Sequence, residues 1–308
     1  MPRLQGPNGD DTQAVGVDVC VCTFRRASVR ETLASIAGQK GAPRLRVIVA
    51  DNDDMPSAEA LVNAAAREFG LAITYLHAPA RNIATARNAC LEAASADMVA
   101  FIDDDEIAPP DWLAGLIAGL GPDDVVFGPV QARYQPGAPA WVVRGDFHSF
   151  GPIIRANGDI DTGYSSNVLF RRSVVEALRF EPGLGRTGGE DTFFFAQLHA
   201  GGARLGFCPA AMVYEPTPPE RATLRWLLRR AFRSGQTHAR VLRAHGQGAV
   251  AIAAPALAKA FYCALGGLVS FWSPVGGRRF MIRGALHAGV VAKALGASDL
   301  ELYGGAPA

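Results

Sequence analysis

The chain carries one run of four consecutive acids, Asp103, Asp104, Asp105 and Glu106. The run directly follows the apolar residues 99–102, which predict a strand buried on both faces of a parallel sheet. Carboxylates crowded at the end of such a strand repel one another unless a cation neutralises them. A hard divalent ion, Mg²⁺ or Mn²⁺, suits these oxygen ligands and keeps positions open for substrate phosphates. The alternative is a solvated acidic turn that leads into a helix predicted at residues 109–112.

A second pair of acids, Glu190 and Asp191, lies between a glycine-rich stretch at residues 183–189 and an apolar helix predicted at residues 193–198. Such a loop fixes two carboxylates at a helix N-terminus, and its glycines favour close approach of the backbone to a ligand. An acid at a helix start also stabilises the helix by roughly 0.5–2 kcal/mol, so capping and catalysis are both open interpretations.

Polar residues also follow the first two predicted strands. Strand one leads into Thr23 and Arg25, and strand two ends at Asp51. Both strand ends fall at the carboxyl edge of the sheet, beside the acidic run, where open α/β sheets bind ligands. A carboxylate there can accept a hydrogen bond from a base or a ribose hydroxyl, and an arginine can bind a phosphate. Turn formation is an equally good interpretation of residues 51–54, because Asn and Asp favour such bends.

These residues need a scaffold that brings strand ends together. We predict strands at residues 15–22, 45–50, 73–77 and 98–102, and helices at residues 28–38, 57–69 and 83–94. Strands that alternate with helices predict βαβ units and a right-handed, doubly wound, mostly parallel sheet. Residues 81–88 open the third helix with Arg81 and Arg87, although a capped helix with exposed charges is the simpler interpretation of that segment alone.

The pattern changes from residue 125 onward. A strand is predicted at residues 125–130, and the segment that follows, to residue 163, is rich in Pro, Gly and aromatic residues without a clear period. Its aromatic content favours an ordered substrate-binding excursion with short strands, and most of these aromatics are expected in the core. Short strands at residues 168–170, 203–207 and 211–214 are predicted to close the domain.

Composition describes a globular protein of 308 residues with 49% hydrophobic residues, 19% charged residues and a formal net charge of +1. That charge gives no general case for binding nucleic acid. The five cysteines have no zinc-ligand spacing, so reduced core thiols are expected, with Cys20 and Cys22 on one face of a strand. The first 13 residues are polar and lack the apolar core of a secretory signal, which predicts a cytoplasmic protein.

The C-terminal part combines a basic helix with a long apolar segment. Four arginines recur every four residues, which predicts that they stack along one helix face: Arg221, Arg225, Arg229 and Arg233. Such a helix suits a membrane surface or an anionic ligand such as pyrophosphate, and a solvated arginine face is the alternative. Residues 249–272 are long enough to span a bilayer, but Lys259 near the middle weakens that interpretation. We predict amphipathic or hairpin-like helices over residues 249–297 that lie on the inner leaflet or bind a partner, with a helical core appendage as the alternative.

Taken in order, the motifs resemble those of the family 2 glycosyltransferases, which have the GT-A (nucleotide-diphospho-sugar transferase) fold. The resemblance covers about residues 15–240 and rests on residues 22–25, 51–52, 86–88, 103–105 and 189–191. Residues 145–149, 162–164, 188–192 and 232–238 narrow it to the bacterial exopolysaccharide glucosyltransferases of the succinoglycan type.

The resemblance implies a role for each matched position. Asp51 is expected to contact the base of a UDP-sugar, Arg81 and the backbone at Thr23 to hold the nucleotide, and Asp191 to act as the general base, with Glu190 as the second choice. Asp103 is expected at the ribose or the metal, and Asp105 on Mg²⁺ or Mn²⁺. Further contacts to the nucleotide sugar are assigned to Arg25, Arg87 and Asp104. Contacts to the acceptor, a phosphate or the membrane are assigned to Tyr164, Arg229, Arg230, Arg233 and His238.

The expected organisation is an N-terminal tail at residues 1–14, a catalytic domain at residues 15–220 and a C-terminal appendage of basic and then apolar helices at residues 221–308. The catalytic domain divides into a nucleotide-binding half, 15–130, and an acceptor half, 131–220. The implied activity is inverting transfer of glucose from UDP-glucose to a lipid-linked oligosaccharide, at the inner face of the membrane. A sugar nucleotidyltransferase and a non-catalytic sugar- or lipid-binding scaffold are the alternatives.

Overall fold

The computed structural model describes residues 16–300, so the predicted N-terminal tail lies outside the described residues. The strands are β1 Val17–Thr23, β2 Leu45–Asp51, β3 Ile73–His77, β4 Met98–Ile102, β5 Val125–Phe127, β6 Val130–Tyr134, β7 Asn167–Arg171, β8 Leu205–Phe207 and β9 Val213–Thr217. The helices are α1 Val29–Ala37, α2 Glu59–Phe69, α3 Ile83–Ala93, α4 Trp112–Leu120, α5 Ala140–Gly145, α6 Glu190–Ala200, α7 Leu224–Ala244, α8 Ala249–Val269 and α9 Gly276–Ala294. Short 3₁₀ turns cover Arg172–Val175 and Pro182–Leu184.

The main sheet has seven strands in the order β3-β2-β1-β4-β7-β5-β8. β1 pairs in parallel with β2 and β4, and β7 runs antiparallel to β4 and β5. β1 is buried throughout, as its apolar composition predicts. One core includes residues of α1, α2 and α4, and a second includes residues of α3 and α6, together with Cys20 and Cys22. The doubly wound, mostly parallel sheet is therefore confirmed, with the ends of β1, β2 and β4 at one edge.

The strand predicted at residues 125–130 is two strands in two different sheets. β5 belongs to the main sheet, whereas β6 pairs in parallel with β9 in a separate two-stranded sheet. Gly128 and Pro129 separate them: a Cβ at Gly128 would overlap the carbonyl oxygen of Ala211, and proline has no N–H for a ladder. The segment predicted as an excursion with short strands holds most of β6; beyond β6 it contains α5 and one bridge from Phe150 to Val130.

α7, α8 and α9 form the C-terminal helical appendage, in which α9 packs against both α7 and α8. The crossing of α7 and α9 is close because both helices present glycine. A Cβ at Gly235 would overlap the carbonyl oxygen of Leu286, and a Cβ at Gly289 would overlap that of Phe232. α8 lies on the outer side of α9 and has few contacts with α7.

The four arginines predicted to stack on one helix face do not share one. Arg221 lies before α7 and pairs with Glu215 at 3.2 Å. On α7, Arg225 and Arg229 are exposed, whereas Arg233 donates to the carbonyl oxygen of Thr187 at 3.2 Å. A four-residue step advances about 40° around a helix, so two steps separate Arg225 and Arg233 by about 80°. The helix therefore presents arginines both to solvent and to the catalytic domain.

Candidate active site

The four acids after β4 divide between the interior and the surface. Asp104 is buried and accepts hydrogen bonds from Thr23 Oγ1 at 2.8 Å and Arg26 Nη1 at 3.0 Å. Glu106 is also buried and accepts from the backbone N–H of Asp103 at 2.9 Å. The side chains of Asp103 and Asp105 stay 42% and 21% exposed. Asp103 and Asp105 are therefore the two carboxylates of the run that a ligand can reach.

Arg26 is a site residue that the sequence analysis did not single out. Its Nη1 lies 3.0 Å from Asp104 and 2.5 Å from Asp105. Burial raises the pKa of Asp104 to about 7 even with this arginine beside it, and burial raises the pKa of Glu106 well above its usual value. Burial therefore favours the uncharged form of both carboxyls, which lowers the repulsion within the acidic run.

The accessible donors fit a hard divalent ion. Over residues 16–300 no three His, Cys, Asp or Glu side chains converge on one metal position. Mg²⁺ usually takes only one or two carboxylates from a protein and completes its shell with water and substrate phosphates. Asp103 and Asp105 supply that number of oxygen ligands.

A buried ion pair connects the acidic run to the second pair of acids. Arg87, on α3, is 6% exposed; it pairs with Glu190, which is 4% exposed, and lies 3.6 Å from Asp103. Burial raises the pKa of Glu190, while the charge of Arg87 lowers it. Because Glu190 already binds Arg87, the neighbouring Asp191 is the carboxylate better placed to act on a substrate.

Asp191 lies in the first turn of α6 and accepts from the backbone N–H of Thr192 at 2.6 Å. It therefore satisfies one N–H of the first turn, although the N-cap residue itself is Gly189, which has no side-chain cap. The two glycines directly before α6 lie against residues of α7. A Cβ at Gly188 would overlap Arg233, and a Cβ at Gly189 would overlap Thr237.

Two predicted nucleotide contacts are buried inside the domain. Asp51 is fully buried and accepts from the N–H groups of Asp53 and Ala58 and from the hydroxyl of Tyr75, at 3.1, 2.8 and 2.8 Å. Asp104 is buried in the turn that follows β4, where Thr23 and Arg26 donate to its carboxylate. Both side chains shape the turns that carry the site, and their contact with a nucleotide stays a prediction.

Two exposed cations lie at the same edge. Arg25 binds both carboxylate oxygens of Asp53 at 2.8 Å, and Arg81 lies 2.5 Å from Asp54. Both arginines have positive φ, at 55° and 46°, and their side chains are 46% exposed. They remain the candidates for binding a nucleotide phosphate.

The predicted acceptor contacts are spread over different environments. Tyr164 donates to the carbonyl oxygen of Gly128 at 2.7 Å and packs against Phe127 and Phe150, which makes it a core residue. Arg230 lies over the rings of Phe150 and Trp226. Two further predicted residues are exposed on α7, Arg229 and His238.

Glu215, on β9, adds a carboxylate that the sequence analysis missed. Tyr214 pairs with Ile107, directly after the acidic run, so β9 brings Glu215 to that run. Burial and the nearby charge of Asp105 raise the pKa of Glu215 to about 7, although Arg221 donates to it at 3.2 Å. A single acid in a predicted strand gives no sequence signal of this position.

The sheet is of a nucleotide-binding type and has accessible acids at its carboxyl edge. These acids are joined to an acid pair at a helix start, which is the arrangement of a glycosyltransferase of the GT-A fold. The chain belongs to glycosyltransferase family 2, since the sequence model described as "Glycosyl transferase family 2" matches residues 18–179. It is 46% identical over 300 residues to the succinoglycan biosynthesis protein ExoM of Rhizobium meliloti (strain 1021), covering 95% of this chain and 97% of that protein. It is also 29% identical over 189 residues to the glucosyl-dolichyl phosphate glucuronosyltransferase of Haloferax volcanii, covering 56% and 58% of the two chains.

Solved structures confirm the fold. The mannosyltransferase PcManGT from Pyrobaculum calidifontis, in complex with GDP-Man and Mn²⁺, superposes with a TM-score of 0.60 at 23% identity, covering 91% of this chain and 88% of that one. TarS of S. aureus in complex with UDP-GlcNAc superposes with a TM-score of 0.52 at 17% identity, covering 92% and 93%. Family membership makes the chain a glycosyltransferase and decides against the nucleotidyltransferase and scaffold alternatives.

Proposed function

We propose that the enzyme transfers glucose from UDP-glucose to a lipid-linked oligosaccharide, with inversion, in the synthesis of a bacterial exopolysaccharide. The observation that carries the proposal is the connected pair of acid sites, in which Arg87 bridges Glu190 and Asp103 at the carboxyl edge of the sheet. The similarity to the succinoglycan protein supports the exopolysaccharide setting. The donor, the acceptor and the linkage come from the motif resemblance.

The donor binds at the ends of β1, β2 and β4. Arg25 and Arg81 offer exposed guanidinium groups to the nucleotide phosphates, and Asp103 and Asp105 hold Mg²⁺ or Mn²⁺. When bound, the ion neutralises the charge that grows on the departing nucleoside diphosphate.

The acceptor hydroxyl is deprotonated by Asp191. Its carboxylate takes the proton while the acceptor oxygen attacks the anomeric carbon opposite the leaving group, so an α-linked donor gives a β-glycoside. Glu190 and Arg87 hold the first turn of α6 in place, because their buried pairing joins it to α3. The enzyme acts on the cytoplasmic side as a peripheral protein of the inner leaflet, where a lipid-linked acceptor is presented.

The test is UDP release from UDP-glucose with membrane lipid extract as acceptor, with Mg²⁺ or Mn²⁺ and after chelation. We expect metal-dependent turnover that is lost in Asp191→Asn while UDP binding persists, and turnover unchanged in Glu92→Gln, an exposed acid of α3. If Asp191→Asn keeps wild-type turnover, the assigned base is wrong. If the wild type binds no UDP-sugar, the proposed donor is wrong.

A further inference from the structure

α8 has two apolar faces, and only one of them is covered. Ile252, Ala256 and Cys263 form the buried face, and α9 packs along this helix. The second face is fully apolar and exposed, with fractional exposures between 48% and 79%. Its residues are Val250, Leu257, Phe261, Leu265 and Leu268, continued after the helix by Trp272. We call this set the exposed stripe.

The exposed stripe lies directly opposite the covered face. At about 100° per residue, positions 250, 257, 261, 265 and 268 all fall within about 60° of the direction opposite the buried residues. Lys259 falls on the other side of the helix, and its charge acts on His238 of α7 and His287 of α9. The one charge of α8 is therefore turned away from the exposed stripe.

The C-terminal helices beside the exposed stripe are strongly basic. Of the chain's 30 Lys and Arg and 29 Asp and Glu, residues 221–298 hold twelve basic residues and no acid. The next acid, Asp299, pairs with Arg240 and Lys293, whereas Arg225 and Arg229 of α7 and Arg279 and Arg283 of α9 are exposed. An apolar stripe beside a predominantly basic surface complements a bilayer leaflet with anionic headgroups.

α8 is also the one described helix that is long and apolar enough to cross a bilayer by length and composition. Its packing argues against crossing. α9 lies along α8 and also packs on α7, which contacts α6 of the catalytic domain. If α8 crossed the bilayer, it would carry Lys259 and the arginines of α9 into the hydrocarbon. A helix that lies in the plane of the leaflet keeps all of these charges in water.

We propose that α8 is an in-plane membrane-docking helix. Its exposed stripe enters the acyl-chain boundary of an anionic leaflet, with Trp272 at the interface and the basic residues of α7 and α9 over the headgroups. This deepens the membrane partner named in the proposed function, and it does not depend on the donor or the acceptor.

The binding test uses purified full-length protein and vesicles of phosphatidylcholine with or without phosphatidylglycerol. We expect flotation with the anionic vesicles, and a fall in the partition coefficient of about tenfold or more in Leu257→Glu/Phe261→Glu. Met55→Glu, an equally exposed apolar position on the catalytic domain, is the matched control and should bind like the wild type. Brominated lipids should quench the fluorescence of the wild type and lose most of that effect in Trp272→Phe.

The orientation test uses Gln247→Cys and Pro274→Cys, at the two ends of α8, in proteoliposomes treated with a membrane-impermeant maleimide. The in-plane arrangement predicts labelling of both positions from the outside, because both ends lie on the same side. Labelling of one end alone would show a spanning helix and overturn the proposal. Absence of vesicle binding, or an equal loss of binding in Met55→Glu, would also overturn the proposal. Dimerisation through the exposed stripe would overturn it too, because the stripe would then bind a second copy of the chain.

These outcomes are independent of catalysis. UDP-glucose turnover by Leu257→Glu/Phe261→Glu without membranes should equal that of the wild type, because the exposed stripe contacts no residue of the candidate site. Failure of the donor assignment would leave the flotation result unchanged, and failure of flotation would leave the donor assignment unchanged.

Discussion

Replacing Arg87 by methionine tests the buried ion pair that joins the two acid sites. The substitution keeps an unbranched apolar side chain and removes the charge that Glu190 pairs with. Glu190 is then left buried without a cation, and removal of one partner of a buried pair costs about 3–5 kcal/mol. The second contact of Arg87, at 3.6 Å from the half-exposed Asp103, adds less than about 1 kcal/mol.

A loss of this size is a large share of the roughly 5–15 kcal/mol that usually separates folded from unfolded protein. The matched control is Arg81→Met, which removes an arginine from the exposed pair with Asp54. An exposed pair contributes about 0–1 kcal/mol. The double variant Arg87→Met/Glu190→Met removes both charges together and should be clearly more stable than Arg87→Met alone, because no uncompensated charge remains.

Urea unfolding of these three variants, of Glu190→Met and of the wild type measures these differences in the free energy of unfolding. The reasoning is refuted if Arg87→Met unfolds within about 1 kcal/mol of Arg81→Met, or if Arg87→Met/Glu190→Met loses the sum of its two single changes. Either result would mean that Glu190 does not depend on Arg87 for its burial.

Three further predictions concern other parts of the molecule. Burial lowers the pKa of His148 to about 4 from its usual 6.5. The folded state therefore favours the neutral imidazole, and about 3 kcal/mol of stability that is fully present above pH 6.5 is lost as the pH falls towards 4. His148→Phe should flatten this part of a plot of melting temperature against pH. Gly289→Val should separate α9 from α7 and lower the melting temperature, because its side chain would overlap the backbone of Phe232. Gly248→Val, with open space around it and a negative φ, is the control and should change the melting temperature far less. Asp105→Asn should raise the metal concentration for half-maximal UDP release by about tenfold or more, while Glu92→Gln leaves it unchanged.

The regular half of the fold was predictable because its signals are local. Apolar runs predict the strands β1, β2 and β4, and helical periods predict the helices between them. This alternation in turn predicts that the strands are parallel. The division of residues 125–134 into two sheets was not predictable, because it depends on the contact of Gly128 with Ala211, over 80 residues further along the chain. Four arginines were assigned to one helix face, but α7 begins only after Arg221, and a helix turns about 40° further at each four-residue step.

The candidate site was predictable in position but not in detail. Acids at strand ends indicate the edge where ligands bind, and the structure brings Asp103, Arg87 and Glu190 together there. Sequence alone does not tell which acids face inward, and it gives no sign that the oxygens of Asp51 and Asp104 are bonded inside the domain. Arg26 and Glu215 were missed because their importance comes from partners far along the chain.

The C-terminal helices connect the exposed stripe to the candidate active site. α7 contacts the glycine-rich loop, where Arg233 donates to Thr187 and the lack of a side chain at Gly189 admits Thr237. The same helix crosses α9 at Gly235, and α9 carries α8 on its outer side. Because each of these contacts is a close one, a leaflet bound at α8 would fix the distance and tilt of Asp191 relative to the membrane. An acceptor held in that leaflet by its lipid would therefore present its sugar at a set height, which limits the lengths of saccharide that reach the base.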